Sequence, residues 1–199
     1  AAHQLLARVG IPMPNTAFAN SPKDTKSLLE LSNDIPLVIK LLQSSQGKGV
    51  ILAESKKAAS GMISAFQRIG APFIAQEFIE EANGEDLRCF VVGRKVVGSM
   101  IRKAADGDFR SNLHSGGTAK NIKITKQERI IALNAARALG LNVAGVDLIR
   151  SSSGSKVLEV NSSPGIEGIE KATKKNIAGS IIKFIEENVR VVNISSKKY

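Results

Sequence analysis

The sequence predicts an α+β fold (in the wider sense α/β), and three observations support this class. Apolar runs of strand length alternate with amphipathic runs of helix length along the 199 residues. Glycines end several of these runs, as they do at helix termini and in turns. Hydrophobic residues make up 43% of the chain, which is enough to bury a substantial core.

The elements of the first half are separated by glycine and proline. Gly10 and Pro12 end a helix that begins without a cap, so we expect that an upstream portion of the protein is absent. Ser21 and Pro22 begin the next helix. The remaining expectations follow in chain order: a helix to about Ser32, a strand over 35–42, a glycine loop, a strand over 50–54, a helix over 56–69 and a strand over 72–79.

The second half is predicted to continue with a hairpin whose strands flank Arg94 and Lys95. Residues 103–121 show little periodicity and are expected to form a long binding loop. Thr125 and Glu128 form a capping box that begins a helix. Two further strands, 143–150 and 156–161, and a helix over about 176–188 complete the series.

The composition excludes some classes of protein. No apolar run approaches the roughly 20 residues that cross a bilayer, and no leader-like segment is present, so we expect a cytoplasmic protein without membrane contact. The single cysteine, Cys89, cannot form an internal disulfide and lies in an apolar run, where inert packing is expected.

The formal net charge of +10 favours acidic partners. Nine Lys and Arg residues lie between Arg88 and Lys126, against two acids, Asp106 and Asp108. A solvated surface explains such a stretch as readily as a binding surface does. Only 4% of the residues are aromatic, which leaves little to stack on bases, so we expect no direct nucleic-acid binding.

The hairpin over 143–161 carries two acids. If its strands pair symmetrically about Ser153, Arg150 faces Lys156 and Asp147 faces Glu159. Opposed carboxylates repel each other unless a positive charge lies between them, and Mg²⁺ prefers such oxygen ligands.

Asn161 is two residues beyond Glu159 and therefore shares its face of the strand. These three side chains, Asp147, Glu159 and Asn161, are the predicted metal ligands, although an ordinary ion pair with a nearby Lys or Arg remains the alternative. The other face is expected to lie in a core and to carry Val146, Leu148, Leu158 and Val160.

Lys40 interrupts an apolar strand, where a buried ammonium requires an anion. The loop that follows contains Gly47, Lys48 and Gly49, and glycine lets backbone N–H groups approach phosphates. Lys40 could equally extend from a strand end to water. The combination of the lysine and the glycine loop favours a phosphate site.

Two further segments contain candidate ligands. Arg110 and Asn112 lie in the segment 107–117, where arginine can bind phosphate or carboxylate with a fork of donors. An ordinary exposed loop is the alternative. Asp86 and Arg88 are close in one strand, and a plain salt bridge explains this pair about as well as ligand binding.

These segments together resemble the ATP-grasp superfamily and, within it, the RimK group of ribosomal protein S-six glutamate ligases. The resemblance covers nearly the whole chain and is carried by LLARVGIPMP, PLVIKLLQSSQGKGV, QEFIEEANGEDLRCFVVG, GDFRSNLHSGG, VAGVDLIR and LEVNSSPGIEGIE. It implies two lobes, each with an antiparallel-rich sheet and helices, with the nucleotide between them. The implied division is 1–20 (end of a central region, with the upstream domain missing), 21–79 (small lobe), 80–190 (large lobe) and 191–199 (tail).

The resemblance also implies roles for individual residues. Lys40 would contact the ATP phosphates, with loop 44–49 closing over them, and Glu77 and Phe78 would meet the adenine. Further nucleotide contacts would come from Asp86, Arg88, Arg110, Ser111 and Asn112. Arg110 and Asn112 would act in catalysis. Two Mg²⁺ ions, with Mn²⁺ as an alternative, would bind Asp147, Glu159 and Asn161.

The implied activity is an ATP-dependent ligase that adds glutamate to the acidic C-terminal tail of a ribosomal protein through an acyl-phosphate. We expect ATP and glutamate as small-molecule partners and a homo-oligomer. One alternative is a related ligase whose acceptor is a small-molecule or cofactor carboxylate. A second is a basic RNA- or ribosome-binding protein with an inactive nucleotide site.

Overall fold

The computed structural model describes residues 2–18, 36–43, 48–113 and 116–188, and the statements below concern these residues. The predicted helix over 21–32, Gly47 and the tail 191–199 lie outside them. Nine strands are formed: Thr16–Phe18 (β1), Leu37–Leu41 (β2), Val50–Ala53 (β3), Phe73–Glu77 (β4), Glu85–Val92 (β5), Lys95–Lys103 (β6), Thr118–Asn121 (β7), Val143–Ser151 (β8) and Gly154–Asn161 (β9). The helices are Ala2–Arg8 (α1), Lys56–Arg68 (α2), Lys126–Ala138 (α3), Glu167–Thr173 (α4) and Ile177–Asn188 (α5), with a 3₁₀ turn at Glu80–Ala82.

The strands form two antiparallel sheets, which confirms the predicted α+β class. The small sheet has the order β1-β4-β2-β3 and the large sheet the order β7-β6-β5-β8-β9. In the described ranges, no helix is long and apolar enough to cross a membrane.

The small sheet is covered by helix α2 on one face. Ile39, Phe73 and Ala75 of the sheet form a core with Ala59 and Ile63 of the helix. Because side chains alternate along a strand, the neighbours of these residues point to the opposite face. The alternation therefore places Val38 and Lys40 away from the helix.

The large sheet is covered unequally on its two faces. One face packs against α1 and α3 through residues such as Leu87, Val146 and Leu148. The other face packs against α4 and α5 over part of its area, where Phe90 contacts the cluster of Ile169 and Ile177. The uncovered remainder of this face carries charged side chains.

Cys89 lies in the first of these cores and is fully buried. Burial raises the pKa of its thiol to about 12, so the group stays protonated at neutral pH. This agrees with the predicted packing role.

Local sequence signals predicted most helix ends correctly. The capping box is present: the Thr125 hydroxyl accepts from the Glu128 N–H (3.1 Å), and the Glu128 carboxylate accepts from the Thr125 N–H (2.8 Å). Gly10, Gly70 and Gly140 follow helices with φ values of 72°, 66° and 68°, a conformation that glycine adopts without strain.

The strands β1 and β7 and the helix α4 were not predicted. β1 and α4 are short, at three and seven residues. The segment 103–121 is not a loop throughout, because Thr118–Asn121 form the edge strand β7 beside β6. Three of its four residues are exposed, so no apolar alternation indicated a strand.

The register of the 143–161 hairpin was predicted in part. Asp147 lies opposite Glu159, as expected, but Lys156 lies opposite Ile149 and not Arg150. A β-bulge next to Asp147 shifts the pairing by one residue. The bulge also contradicts the expected core position of Leu158, which instead lines a cavity.

Residues 11–15, which we call the connecting segment, run between the two sheets. The Pro12 carbonyl accepts a hydrogen bond from Val157 of β9 (2.7 Å), and the Asn15 carbonyl accepts one from Glu77 of β4 (2.8 Å). Lys156 also forms an ion pair with Glu77 (3.1 Å). These contacts join the two sheets around a common cleft.

Candidate active site

A cavity of about 310 Å³ lies between the two sheets. The small sheet contributes Lys40 and Gln76, and the large sheet contributes Asp86, Asp147 and Glu159. The uncovered charged face of the large sheet therefore faces the lysine of the small sheet.

Asp147 is held by two arginines. Arg88, directly opposite on β5, donates to both carboxylate oxygens at 2.7 and 2.6 Å. Arg102 of β6 donates to the same carboxylate at 2.7 Å. Burial alone would raise the pKa of the nearly inaccessible Asp147, but the two guanidinium groups lower it. Asp147 is thus a fixed, ionised carboxylate.

Asp86 is paired with Arg102, and the salt bridge between Asp86 and Arg88 that the sequence left open is not formed. Arg102 donates to one Asp86 oxygen at 2.7 Å and also contacts the other. Asp86 lies opposite Arg102 and Arg88 opposite Asp147, so the sheet register gives each of these two residues a different partner. The sequence did not single out Arg102, because its partners depend on strands that are distant in the chain.

Glu159 and Asn161 complete the predicted trio. The Asn161 amide donates to Glu159 at 2.9 Å, and Arg88 lies 3.9 Å from the same carboxylate. The Glu159 side chain is 54% exposed to the cleft. Partial burial by the cleft walls, together with the charge of Asp147, raises the pKa of Glu159.

This donor set fits a hard divalent cation. Two carboxylates and an amide oxygen are the ligands that Mg²⁺ accepts. Both oxygens of Asp147 are already engaged by Arg88 and Arg102, so the ion pair that the sequence left as the alternative is formed at this residue. Within residues 2–18, 36–43, 48–113 and 116–188, no group of three or more His, Cys, Asp or Glu side chains is arranged to hold a metal. The fit therefore depends on the two acids and Asn161.

Lys40 faces these acids across the cavity. Its ammonium donates to Gln76 at 2.6 Å. Burial lowers the pKa of Lys40, while Glu159, Asp147 and Asp86 attract its charge. Lys48 also lines the cavity, and Gly49 adopts φ 76° beside it, a conformation that permits the turn.

One end of the cavity is partly aromatic. Phe78 and Phe109 pack edge to face with ring centroids 6.1 Å apart, and both line the cavity with Glu77. Phe109 was not predicted as a site residue, and its position beside Arg110 in a polar loop gave no signal for it.

Arg110, Ser111 and Asn112 also line the cavity. Asp108 accepts from the backbone N–H of Arg110 at 2.9 Å and from its guanidinium at 2.8–3.2 Å, which fixes the arginine in the loop. The structure thus brings together every predicted site residue that it describes, apart from Arg88 and Gly49, which lie next to the lining residues Asp147 and Lys48.

Comparison with known proteins connects this cleft to a family. Residues 1–185 match the RimK-like ATP-grasp domain. The chain is 60% identical over 187 residues to a probable α-L-glutamate ligase of Alkalilimnicola ehrlichii, covering 94% of this chain and 62% of the relative. A probable α-L-glutamate ligase of Coxiella burnetii is 58% identical over 194 residues, covering 98% of this chain and 64% of the relative. The chain therefore spans less than two thirds of these relatives.

Solved structures support the fold. The chain superposes on the ATP-grasp ligase PsnB, solved with a phosphomimetic variant of its minimal precursor, Mg and ADP, with a TM-score of 0.72. The two share 21% identity over 92% of this chain and 56% of that chain.

Proposed function

Because the chain belongs to the RimK-like ATP-grasp family, we propose that it is the ATP-binding part of a ligase that joins glutamate to a carboxylate. The observation that carries this proposal is the opposition of Asp147, Glu159 and Asn161 to Lys40 across one cavity. Phosphoryl transfer depends on positively charged side chains and bound metal ions that position the phosphates and neutralise their charge. The relatives named as glutamate ligases support glutamate as the amine.

Each group of side chains has a role in this proposal. Lys40 and Lys48 bind the phosphates of ATP, while Glu77 and Phe78 contact the adenine, with Phe109 closing that end. Asp147, Glu159 and Asn161 would hold Mg²⁺, which when bound neutralises charge on the phosphates. Arg88 and Arg102 keep Asp147 ionised and fixed in orientation.

The reaction requires no nucleophilic side chain. A carboxylate oxygen of the acceptor forms a bond to the γ-phosphorus as the bond to ADP breaks. The amine of glutamate then attacks the acyl carbon, loses a proton and displaces phosphate, so that an amide forms. Arg110 and Asn112 line the cavity where they can orient the transferred group, and closure of the cleft excludes water.

The proposed acceptor is the acidic C-terminal tail of a ribosomal protein. The surplus of cations between Arg88 and Lys126 suits such a tail, although Arg88, Arg102 and Arg110 are engaged in ion pairs with acids. The cations that remain for an acidic peptide lie at exposed positions such as Lys103 and Lys120.

The test measures ADP formed from ATP, Mg²⁺ and glutamate, with and without a peptide that ends in glutamates. We expect stimulation by the peptide; stimulation by small carboxylic acids alone would select a small-molecule acceptor. Asp147→Asn should abolish glutamate-dependent ADP release, and Asp106→Asn, outside the cavity lining, is the matched control. Full activity of Asp147→Asn would refute the metal assignment.

A further inference from the structure

Gln76 is a buried amide that no part of the proposed reaction uses. Its residue is 1% exposed, although it lies in β4 on the face that lines the cavity. The sheet register places it opposite Thr16 of β1 on one side and Val38 of β2 on the other. Because Lys40 is two residues beyond Val38, Thr16, Gln76 and Lys40 share one face of the small sheet.

The hydrogen bonds between these three side chains all run in one direction, with Lys40 donating to Gln76 and Gln76 donating to Thr16. The Thr16 hydroxyl donates its proton to the Pro14 carbonyl at 2.8 Å, so towards Gln76 it can only accept. The Gln76 amide nitrogen donates to that hydroxyl at 2.9 Å. The amide oxygen is thereby turned towards Lys40, whose ammonium donates to it at 2.6 Å.

This direction suits a lysine that must remain positively charged. A lysine ammonium has donors and no acceptor, so only the oxygen end of the amide can hold it. Across the cavity, Glu159, Asp147 and Asp86 attract the same ammonium. A neutral acceptor holds Lys40 on its own sheet without cancelling the charge that an anionic ligand would need.

We propose that Gln76 is a positioning residue that aims the Lys40 ammonium at the nucleotide phosphates, and that Thr16 sets the orientation of its amide. The inference rests on the proposed function, in which Lys40 binds those phosphates. It extends the site to Thr16, which lies next to the connecting segment and does not line the cavity.

The experiment compares the affinities of the protein for ADP and adenosine by titration calorimetry in Mg²⁺ buffer. Thr16→Val removes the hydroxyl at nearly constant volume and frees the Gln76 amide to turn its nitrogen towards Lys40. We expect ADP to bind about tenfold more weakly or worse, as for loss of a hydrogen bond to a charged group, while adenosine affinity changes less than about twofold. Gln76→Leu should give the same pattern.

Thr173→Val is the matched control. The Thr173 hydroxyl also donates to a backbone carbonyl, that of Ile169, but it lies in α4 and does not line the cavity. This variant should bind both ligands as the wild type does. Thr16→Ser keeps a hydroxyl and should restore most of the ADP affinity lost in Thr16→Val.

Lys40→Met distinguishes this proposal from the proposed function on which it rests. If Lys40→Met leaves ADP affinity unchanged, Lys40 does not bind phosphate, and both proposals are wrong. If Lys40→Met weakens ADP binding but Thr16→Val and Gln76→Leu do not, only the positioning role is overturned. An equal loss of ADP and adenosine affinity in Thr16→Val would show a general structural effect and would also overturn it.

Discussion

At the scale of single residues, Arg102 joins two buried carboxylates. It contacts Asp86 and Asp147, and the side chains of all three are 7% exposed or less. Charges removed from water are costly unless each is paired, and here one guanidinium serves two acids while Arg88 completes the pairing of Asp147. Burial alone would lower the pKa of Arg102, but Asp147 and Asp86 raise it, so this residue stays charged.

Arg102→Met should therefore reduce the free energy of unfolding by about 3–5 kcal/mol, because it leaves two buried acids without this partner. Urea unfolding followed by circular dichroism measures the loss. Arg129→Met, at an exposed position of α3, is the matched control and should change stability by less than about 0.5 kcal/mol.

A second substitution tests whether loss of the ion pair between Arg102 and Asp86 causes this destabilisation. Asp86→Asn should cost much less in the Arg102→Met background than in the wild type, since the ion pair is already lost there. Equal costs in the two backgrounds would contradict a direct interaction.

Pairing across the hairpin could be predicted at this scale, whereas pairing across the sheet could not. Asp147 and Glu159 belong to strands joined by a short turn, so counting from Ser153 brought them together. Arg88 and Arg102 meet Asp147 through β5 and β6, whose register against β8 depends on contacts across more than 40 residues. Neither the hydrophobic periodicity of the sequence nor the spacing of its residues predicts that register.

At the scale of elements, the start of α3 combines a cap with an ion pair. Beyond the reciprocal bonds between Thr125 and Glu128, Arg150 of β8 donates to Glu128 at 2.7 Å and Ser155 of β9 at 3.1 Å. The cap thus connects the helix to the hairpin that carries Asp147 and Glu159.

Thr125→Ala should destabilise the protein by about 1 kcal/mol, because it removes the acceptor for an otherwise unpaired N–H of the first helical turn. Thermal and urea unfolding measure this loss. Ser60→Ala removes a hydroxyl from the interior of α2 and should not destabilise. A similar loss in both variants would show that the cap contributes nothing specific.

The same cap predicts a dependence of stability on pH. Burial would raise the pKa of Glu128, but hydrogen bonds from Arg150 and Thr125 lower it below the usual 4.5. A carboxylate with a lowered folded-state pKa contributes stability above its unfolded pKa and loses it as the pH falls through the folded one. The stability advantage of wild type over Glu128→Gln should be full at pH 6 and shrink below about pH 4.5; an advantage that grows in acid would contradict this.

Elements with local signals in their own sequence were predicted, and elements that depend on neighbouring strands were not. Helices α2 and α3 have caps and terminal glycines in their own sequences. β7 pairs with β6 at the edge of the sheet, and its mostly exposed residues carry no apolar alternation. The bulge that turned Leu158 into the cavity likewise had no signature in the sequence.

At the scale of the whole molecule, the two sheets line one cavity, to which both contribute residues. A ligand that binds this folded cleft, and not the unfolded chain, must stabilise the protein by mass action. The resemblance to a family gave the two-lobed arrangement, which composition and periodicity alone did not give.

ATP with Mg²⁺, at about 100 times its dissociation constant, should raise the free energy of unfolding by about 2.7 kcal/mol and increase the melting temperature accordingly. Differential scanning fluorimetry measures the shift. Excess EDTA should remove most of it, because the acids opposite Lys40 would then face the phosphates without a cation. Lys40→Met should show a smaller shift than the wild type, and an unchanged melting temperature with saturating ATP would contradict a nucleotide site in this cleft.

The hydrogen bond from Val157 to the Pro12 carbonyl has a consequence beyond joining the sheets. β9 is the last strand of its sheet, and an open strand edge invites pairing with another copy of the chain. The connecting segment occupies part of that edge, and its prolines, Pro12 and Pro14, have no N–H to offer a further strand. A form of the protein that begins after residue 15 loses this edge cover together with the buried Leu6 and Ile11, and it should self-associate into β-rich aggregates at concentrations where the intact chain stays dispersed.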